Sequence, residues 1–206
     1  ASGNSVYDSR DNCNAIIETS TKTLILGCQN TIIPNTVTSI GSYTFSGCSN
    51  LESITIPSSV THIEYSAFSG CSGLTSVTIP NSVTSIGYDA FYSTGIYEDE
   101  SNWDNGVLYI DNCLIKAKSD VVKGSYTIKK GTRIIGNWAF RYCSGLTSVT
   151  IPNSVTSIGD EAFYGRSGLT SVTIGNSVTS IGEYAFYGCS GLTKVNYLGT
   201  VDEWTE

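Results

Sequence analysis

Apolar residues recur along this chain with a period of 23 residues. Copies of one segment begin at six isoleucines: Ile33, Ile56, Ile79, Ile128, Ile151 and Ile174. The interval from Ile79 to Ile128 is 49 residues, so one copy carries 26 additional residues. A fixed period of this length is typical of a solenoid, in which each copy forms one rung that stacks on its neighbours.

Equivalent positions of the copies carry the same apolar residue. All six phenylalanines of the chain fall at one position: Phe45, Phe68, Phe91, Phe140, Phe163 and Phe186. All four prolines share a second position, six isoleucines a third and five leucines a fourth. Because stacking places equivalent positions above one another, these columns predict a continuous apolar core.

Each copy predicts two short strands. In residues 146–151, apolar β-branched residues are expected to point inward, whereas Ser148 and Thr150 face outward. Pro152 ends this strand because it has no N–H to donate. Residues 155–158 predict a second short extended piece.

A bend and a turn complete each rung. A glycine follows the second strand in five copies and suits a tight bend. Glu64 replaces it in one copy, so the bend does not require a positive φ in every rung. Residues 160–165 predict a single helical turn that directs Phe163 inward.

Two related modules interrupt the regular copies, at residues 5–31 and 97–127. Each has two apolar stretches around a polar turn, at 20–22 in the first module and 111–112 in the second. The stretches read as strands at 14–17 and 24–26, and at 105–108 and 114–116. We expect two β-hairpins that either project from the solenoid wall or widen it locally.

These elements predict one repeat domain over residues 1–206. It would contain, in order, a hairpin module at 5–31, rungs at 33–55, 56–78 and 79–96, a hairpin insertion at 97–127, rungs at 128–150, 151–173 and 174–196, and a partial rung at 197–206. The last rung is incomplete and no signal or anchor is present, so we expect a segment of a longer protein.

Composition excludes several classes of function. Eleven basic residues against 18 acidic ones give a net charge of −7, which argues against nucleic-acid binding. His62 is the one histidine, which argues strongly against Ser-His-Asp, Cys-His and multi-histidine metal chemistry. The chain has no Cys-x-x-Cys, which excludes a zinc ribbon. We expect no enzyme, catalytic residue, cofactor or metal, and no direct insertion into a membrane.

The repeat IPNSVTSIGxxAFxGCSGLTSVT resembles the BspA-like, or Treponema-type, leucine-rich repeats over residues 12–197. The resemblance implies a right-handed, curved solenoid with a parallel sheet on one face. It also implies a secreted or surface protein of anaerobic bacteria such as Bacteroides relatives, with a role in adhesion. Arg166, Thr132 and Gly175 depart from the pattern, replacing Cys, Val and Pro, and the Ile79 copy lacks Gly-Cys-Ser.

Four of the seven cysteines occupy one column: Cys48, Cys71, Cys143 and Cys189. In such a column a cysteine acts as a small buried apolar residue. The pair Cys13 and Cys28 is the best placed for a disulfide, but the odd number and the column favour free thiols.

The outward positions of the predicted strands form the candidate ligand-binding face. They are Ser53, Thr55, Ser76, Thr78, Ser148, Thr150, Ser171, Thr173, Lys194 and Asn196. Solenoids commonly bind partners on such an extended face. The alternative is that these residues only solvate the sheet and favour strand formation.

Three other surface groups each have a functional and a simpler interpretation. The turn tyrosines and Trp138 either stack on sugars or pack on one another. The acidic segment 98–104 is a distorted calcium loop or a solvated tip. The basic residues between Lys116 and Arg133 form a docking patch or a soluble surface.

Together these features favour a non-enzymatic module that binds a protein or glycan on a host or bacterial surface, and we expect a monomer. One alternative is a structural spacer that presents another domain. Another is an enzyme such as a glycosidase, although no spacing of carboxylates supports it.

Overall fold

The computed structural model describes residues 4–199. The chain splits into two compact units, Ala1–Asn102 and Trp103–Glu206. We refer to them as the N-terminal and the C-terminal unit. Each unit is a stack of mostly β rungs, as the sequence predicts. The helical segments of the described residues are short: helix α1 at Gly95–Glu98, and 3-10 turns at Arg10–Asn12 and Glu100–Asn102.

The N-terminal unit contains one sheet of six short strands in chain order. They are β1 (Tyr7–Asp8), β2 (Ile16–Glu18), β3 (Thr23–Leu26), β4 (Ser39–Ile40), β5 (His62–Ile63) and β6 (Ser85–Ile86). Strands β1 to β3 pair antiparallel and β3 to β6 pair parallel. The predicted hairpin therefore continues the wall of the first rung and does not project from it.

The C-terminal unit contains two sheets. Its strands are β7 (Trp103–Asp104), β8 (Val107–Ile110), β9 (Cys113–Ala117), β10 (Gly124–Thr127), β11 (Ile134–Ile135), β12 (Leu146–Ile151), β13 (Ser157–Ile158), β14 (Ser171–Ile174), β15 (Ser180–Ile181) and β16 (Lys194–Tyr197). One sheet has the order β15-β13-β11-β9-β8-β7, and the other has the order β10-β12-β14-β16.

The second hairpin also continues a wall, because β9 pairs parallel with β11. The prediction of a strand beginning at Asn105 is wrong. Asn105 and Gly106 have φ of 50° and 80°, and they form the turn that joins β7 to β8. Asn-Gly favours a hairpin turn of this kind because both central residues need positive φ.

The alternation predicted for residues 146–151 is confirmed in β12. Val149 and Ile151 are buried, while Thr150 is exposed. Val149 pairs with Val172 of β14, which pairs with Val195 of β16, so equivalent residues lie directly above one another.

The phenylalanine column forms a stack of parallel rings within each unit. The centroids of Phe45 and Phe68 are 5.1 Å apart and those of Phe68 and Phe91 are 5.4 Å apart. In the C-terminal unit, Phe163 lies 4.8 Å from Phe140 and 5.0 Å from Phe186. The predicted core column is therefore present in both units.

The predicted single helical turn is wrong. The residue two positions before each phenylalanine has a positive φ, as in Tyr43 (59°), Trp138 (59°) and Tyr184 (56°). Its N–H group points along the stack, because the N–H of Tyr43 donates to the Tyr65 carbonyl at 3.0 Å. The N–H groups of this turn therefore have two kinds of partner: that of Tyr43 donates to the next rung, whereas that of Ser46 donates to the Tyr43 carbonyl of its own rung at 3.0 Å. A helix would keep all of these hydrogen bonds within one rung.

The backbones of neighbouring rungs approach each other closely at the glycine column. A Cβ on Gly87 would lie 2.5 Å from the carbonyl carbon of Glu64, in the rung before, although Gly87 does not have a positive φ. Glycine is therefore present because the rungs touch at this position.

All seven cysteines are free thiols. The Sγ of Cys71 donates to the Phe45 carbonyl at 3.0 Å, and burial raises the pKa of Cys71 to about 11. Arg166, in the same column, is nine-tenths buried. Its Nε donates to the Tyr164 carbonyl at 2.9 Å, but the second guanidinium nitrogen Nη1 has no partner within the described residues.

Replacing an interior phenylalanine should open a cavity between two rungs. We expect Phe68→Ala to lower the free energy of unfolding by about 3–5 kcal/mol, and Phe68→Leu to lower it by less than about 1.5 kcal/mol. Urea unfolding followed by circular dichroism measures both. A loss of less than about 1 kcal/mol in Phe68→Ala would contradict the stacked core.

Replacing Arg166 with cysteine, which four other copies carry at the equivalent position, should stabilise the C-terminal unit. In Arg166→Cys, the buried unpaired N–H is removed and the introduced thiol can donate to the Phe140 carbonyl, as Cys189 does to that of Phe163 at 3.2 Å. We expect a gain of about 1–3 kcal/mol in urea unfolding. The exposed change Lys194→Cys is the control, with an effect within about 0.5 kcal/mol. An unchanged or lower stability of Arg166→Cys would count against this interpretation.

Candidate ligand-binding face

In the C-terminal unit, the predicted face is a continuous hydrogen-bonded ladder. Strands β12, β14 and β16 pair in parallel so that their predicted face residues form two rows. The rows are Ser148, Ser171 and Lys194, and Thr150, Thr173 and Asn196. Their side chains are half-buried or exposed, and Lys194 is the one charged residue among the six.

In the N-terminal unit, the predicted face residues are exposed and line two adjacent cavities. Ser53 and Thr55 border both cavities, and Ser76 and Thr78 border one of them. The cavities have volumes of about 310 and 320 Å³, at the lower end of the range for small-ligand sites. We call the surface formed by residues 31–35, 53–57 and 76–78 the open groove.

The open groove differs from the C-terminal ladder in its backbone hydrogen bonds. Residues 53–56 and 76–79 have the strand sequences of the repeat, but they meet in one isolated parallel bridge, between Thr55 and Thr78. The N–H groups of Ser53, Ile54, Ser76 and Val77 donate no hydrogen bond to any part of the chain that the structure describes.

The hydrogen bond between the first and second rungs differs between the two units in the same way. Ile128 donates its N–H to the Thr150 carbonyl at 3.0 Å in the C-terminal unit. The equivalent pair in the repeat is Ile33 and Thr55, and no hydrogen bond joins them. Strand-like backbone therefore borders the open groove without the ladder that equivalent residues form elsewhere.

The lining of the open groove is uncharged and contains no aromatic ring. Its residues are Thr31, Ile32, Ile33, Asn35, Ser53, Ile54, Thr55, Ile56, Pro57, Ser76, Val77 and Thr78. Ile32 is 71% exposed, the largest exposed fraction among the apolar side chains of the described residues. A ligand would therefore meet hydroxyl groups, β-branched side chains and unpaired backbone groups.

The sequence did not lead us to every residue of this face. Ile32 precedes Ile33 as Thr55 precedes Ile56, so the period alone places Ile32 in the outward column. Ser125 and Thr127 pair with Ser148 and Thr150 and extend the C-terminal rows by one strand. Their spacing before Ile128 is the signal that could have identified them.

The turn tyrosines pack on one another within each unit. Tyr65 lies 5.0 Å from Tyr43 and 5.9 Å from Tyr88, measured between ring centroids. In the C-terminal unit, Tyr187 lies 5.5 Å from Tyr164 and 5.6 Å from Tyr184. Several of these rings remain largely exposed, so the packing supports the simpler interpretation without removing their surface.

The charged segments show local contacts. Hydrogen bonding from the Ser101 side chain, and from the Ser101 N–H at 2.9 Å, lowers the pKa of the Asp99 carboxyl. In the basic segment, the Nζ of Lys118 lies 4.4 Å from the ring centroid of Trp103. These contacts fit solvated surface segments.

Among residues 4–199, no three His, Cys, Asp or Glu side chains gather as a metal site would require. In the same residues, no helix is long and apolar enough to cross a membrane.

The solved structures to which this chain is similar include three bacterial proteins. A leucine rich cell surface protein from Faecalibacterium prausnitzii is 29% identical, with 84% of this chain and 60% of that chain covered and a TM-score of 0.35. A leucine-rich repeat protein from Eubacterium ventriosum is 21% identical, with 90% and 70% covered and a TM-score of 0.46. The pneumococcal vaccine antigen PcpA is 23% identical, with 84% and 57% covered and a TM-score of 0.35.

Comparison with curated proteins finds no match. The model of the BspA type leucine rich repeat region matches residues 23–120 and 122–205, with six copies. This match confirms the resemblance found in the repeat, and the chain belongs to the BspA-type leucine-rich repeat family.

Proposed function

We propose that this chain is a non-enzymatic binding module of a secreted or cell-surface bacterial protein. Its ligand is a protein or a glycan, held on the outward face of the parallel strands. Membership of the BspA-type family supports a binding or structural role. The chain also has a single histidine, His62, which is too few for a multi-histidine metal site.

The observation that carries this proposal is the position of the two cavities. Both are lined by residues that the repeat alone assigns to the outward face. Equivalent residues of the C-terminal unit are paired in a hydrogen-bonded ladder, whereas the open groove gives the face a concave place for a ligand.

A bulky charge in the open groove should impair binding. We expect Thr55→Arg to weaken binding at least tenfold, which corresponds to about 1.4 kcal/mol, because Thr55 borders both cavities. Binding is measured on arrays of purified glycans and of purified extracellular-matrix proteins, using the labelled 206-residue chain.

Ser46→Arg is the matched control, because Ser46 is exposed and lines neither cavity. We expect its binding to stay within twofold of that of the original chain. Equal losses in both variants would place the ligand elsewhere. A folded chain that binds nothing on either array would favour the role of a spacer.

A further inference from the structure

We propose that the open groove binds its ligand by strand addition, and that the ligand is an extended, uncharged polypeptide segment. This inference rests on the proposed function and names the class of partner for the same site. It concerns the N-terminal unit, in which the rungs leave strand-like backbone unpaired.

Equivalent backbone groups of the two units differ in their pairing. In the C-terminal unit, Val149 is paired on both sides, with Tyr126 of β10 and with Val172 of β14. The equivalent Ile54 donates no hydrogen bond within residues 4–199, and neither does Val77 in the next rung. At the equivalent position of the C-terminal unit, the backbone of Val149 pairs with other extended strands.

The chemistry of the lining suits an extended peptide. A strand presents side chains alternately, and exposed β-branched residues provide the surface against which such side chains pack. Ile32, which is 71% exposed, supplies that surface, and no charged group among the lining residues requires a counter-charge. A glycan is less well matched, because no aromatic ring of the lining offers a stacking surface.

The length of the open segment limits the ligand. Pro57 ends the stretch that begins at Ser53, since proline cannot continue a ladder. The stretch from Ser53 to Ile56 is bridged at Thr55, to Thr78, and its remaining backbone accepts a short strand of at most about four residues, at the 3.3 Å rise of a parallel strand. The ligand is thus a short extended segment, and it does not need to be a folded domain.

The test uses a peptide with the sequence of residues 146–152, because that strand pairs with an equivalent strand in this chain. Amide hydrogen exchange of the 206-residue protein is measured without and with the peptide. Without peptide, we expect the amides of Ser53 and Ile54 to exchange at least 100-fold faster than that of Val149. With saturating peptide, their exchange should slow at least tenfold.

Two further peptides separate backbone pairing from side-chain contact. They carry N-methyl groups on alternate amides, in one peptide at the positions of Ser148 and Thr150 and in the other at those of Thr147 and Val149. At least one of them should bind ten times more weakly, because a methylated amide cannot donate. Equal binding of all three peptides, or protection confined to residues outside the groove, would overturn the inference.

Ile32→Asp tests the groove from the side of the protein, with Ile25→Asp as its control. Both side chains are exposed isoleucines of the N-terminal unit, and Ile25 lies in strand β3, outside the groove. We expect at least a tenfold loss of peptide affinity in Ile32→Asp and less than twofold in Ile25→Asp. Circular dichroism confirms that both variants fold, and equal effects would contradict the proposal.

The outcomes distinguish this inference from the proposed function. If no peptide binds while a glycan binds in a manner sensitive to Thr55→Arg, strand addition is overturned and the binding face stands. If the amides of Ser53 and Ile54 are as protected as that of Val149 in the free protein, the groove is not unpaired and strand addition is again overturned. If neither peptide nor array shows binding at the face, both proposals fail.

Discussion

Contact between equivalent positions of neighbouring rungs is the interaction on which both units depend. Phe68 illustrates it: its ring lies between those of Phe45 and Phe91, and its N–H donates to the Ala90 carbonyl at 2.8 Å. The same residue thus contributes to the apolar core and to the backbone ladder. A rung alone would have neither, because its core residues and its backbone groups find their partners in the rungs on either side.

This dependence explains conformations that the local sequence disfavours. Tyr43 and Trp138 are large residues with positive φ, a conformation that costs about 1–2 kcal/mol for a residue other than glycine. In return, their N–H groups donate to the carbonyls of Tyr65 and Asp160 in the following rung. Stacking also explains Gly87, where a side chain would collide with the previous rung. Local propensity is overridden wherever it conflicts with the contact between rungs.

The parts of the fold that follow from the period were predictable. The phenylalanine column and the inward and outward positions of residues 146–151 required only the alignment of copies. The turn before each phenylalanine was not predictable in this way, because the residues at its left-handed position include Tyr43, Ser66 and Glu161, which share no side-chain feature. Its conformation is set by hydrogen bonds to the next rung, which a local reading of the sequence cannot contain.

The open groove was not predictable for a different reason. Its strand segments have the same apolar positions as the paired strands, since Leu51, Ile54 and Ile56 correspond to Leu146, Val149 and Ile151. The pattern therefore identifies the exposed face but not the state of its backbone pairing. The pattern also places Ile32 in the outward column, where the next two rungs have Thr55 and Thr78. The groove therefore has an apolar residue at a position where solvation alone would favour a hydroxyl group.

Unpaired strands tend to associate with strands of other molecules, and this chain restricts that tendency. Glu52 and Pro57 flank the unpaired stretch, so only a short segment is open to pairing. The N-terminal unit also carries nine of the 18 acidic residues but only two of the 11 basic ones, and none of these charges lies in the groove lining. Repulsion between such units opposes self-association, whereas the neutral groove remains open to a short uncharged strand.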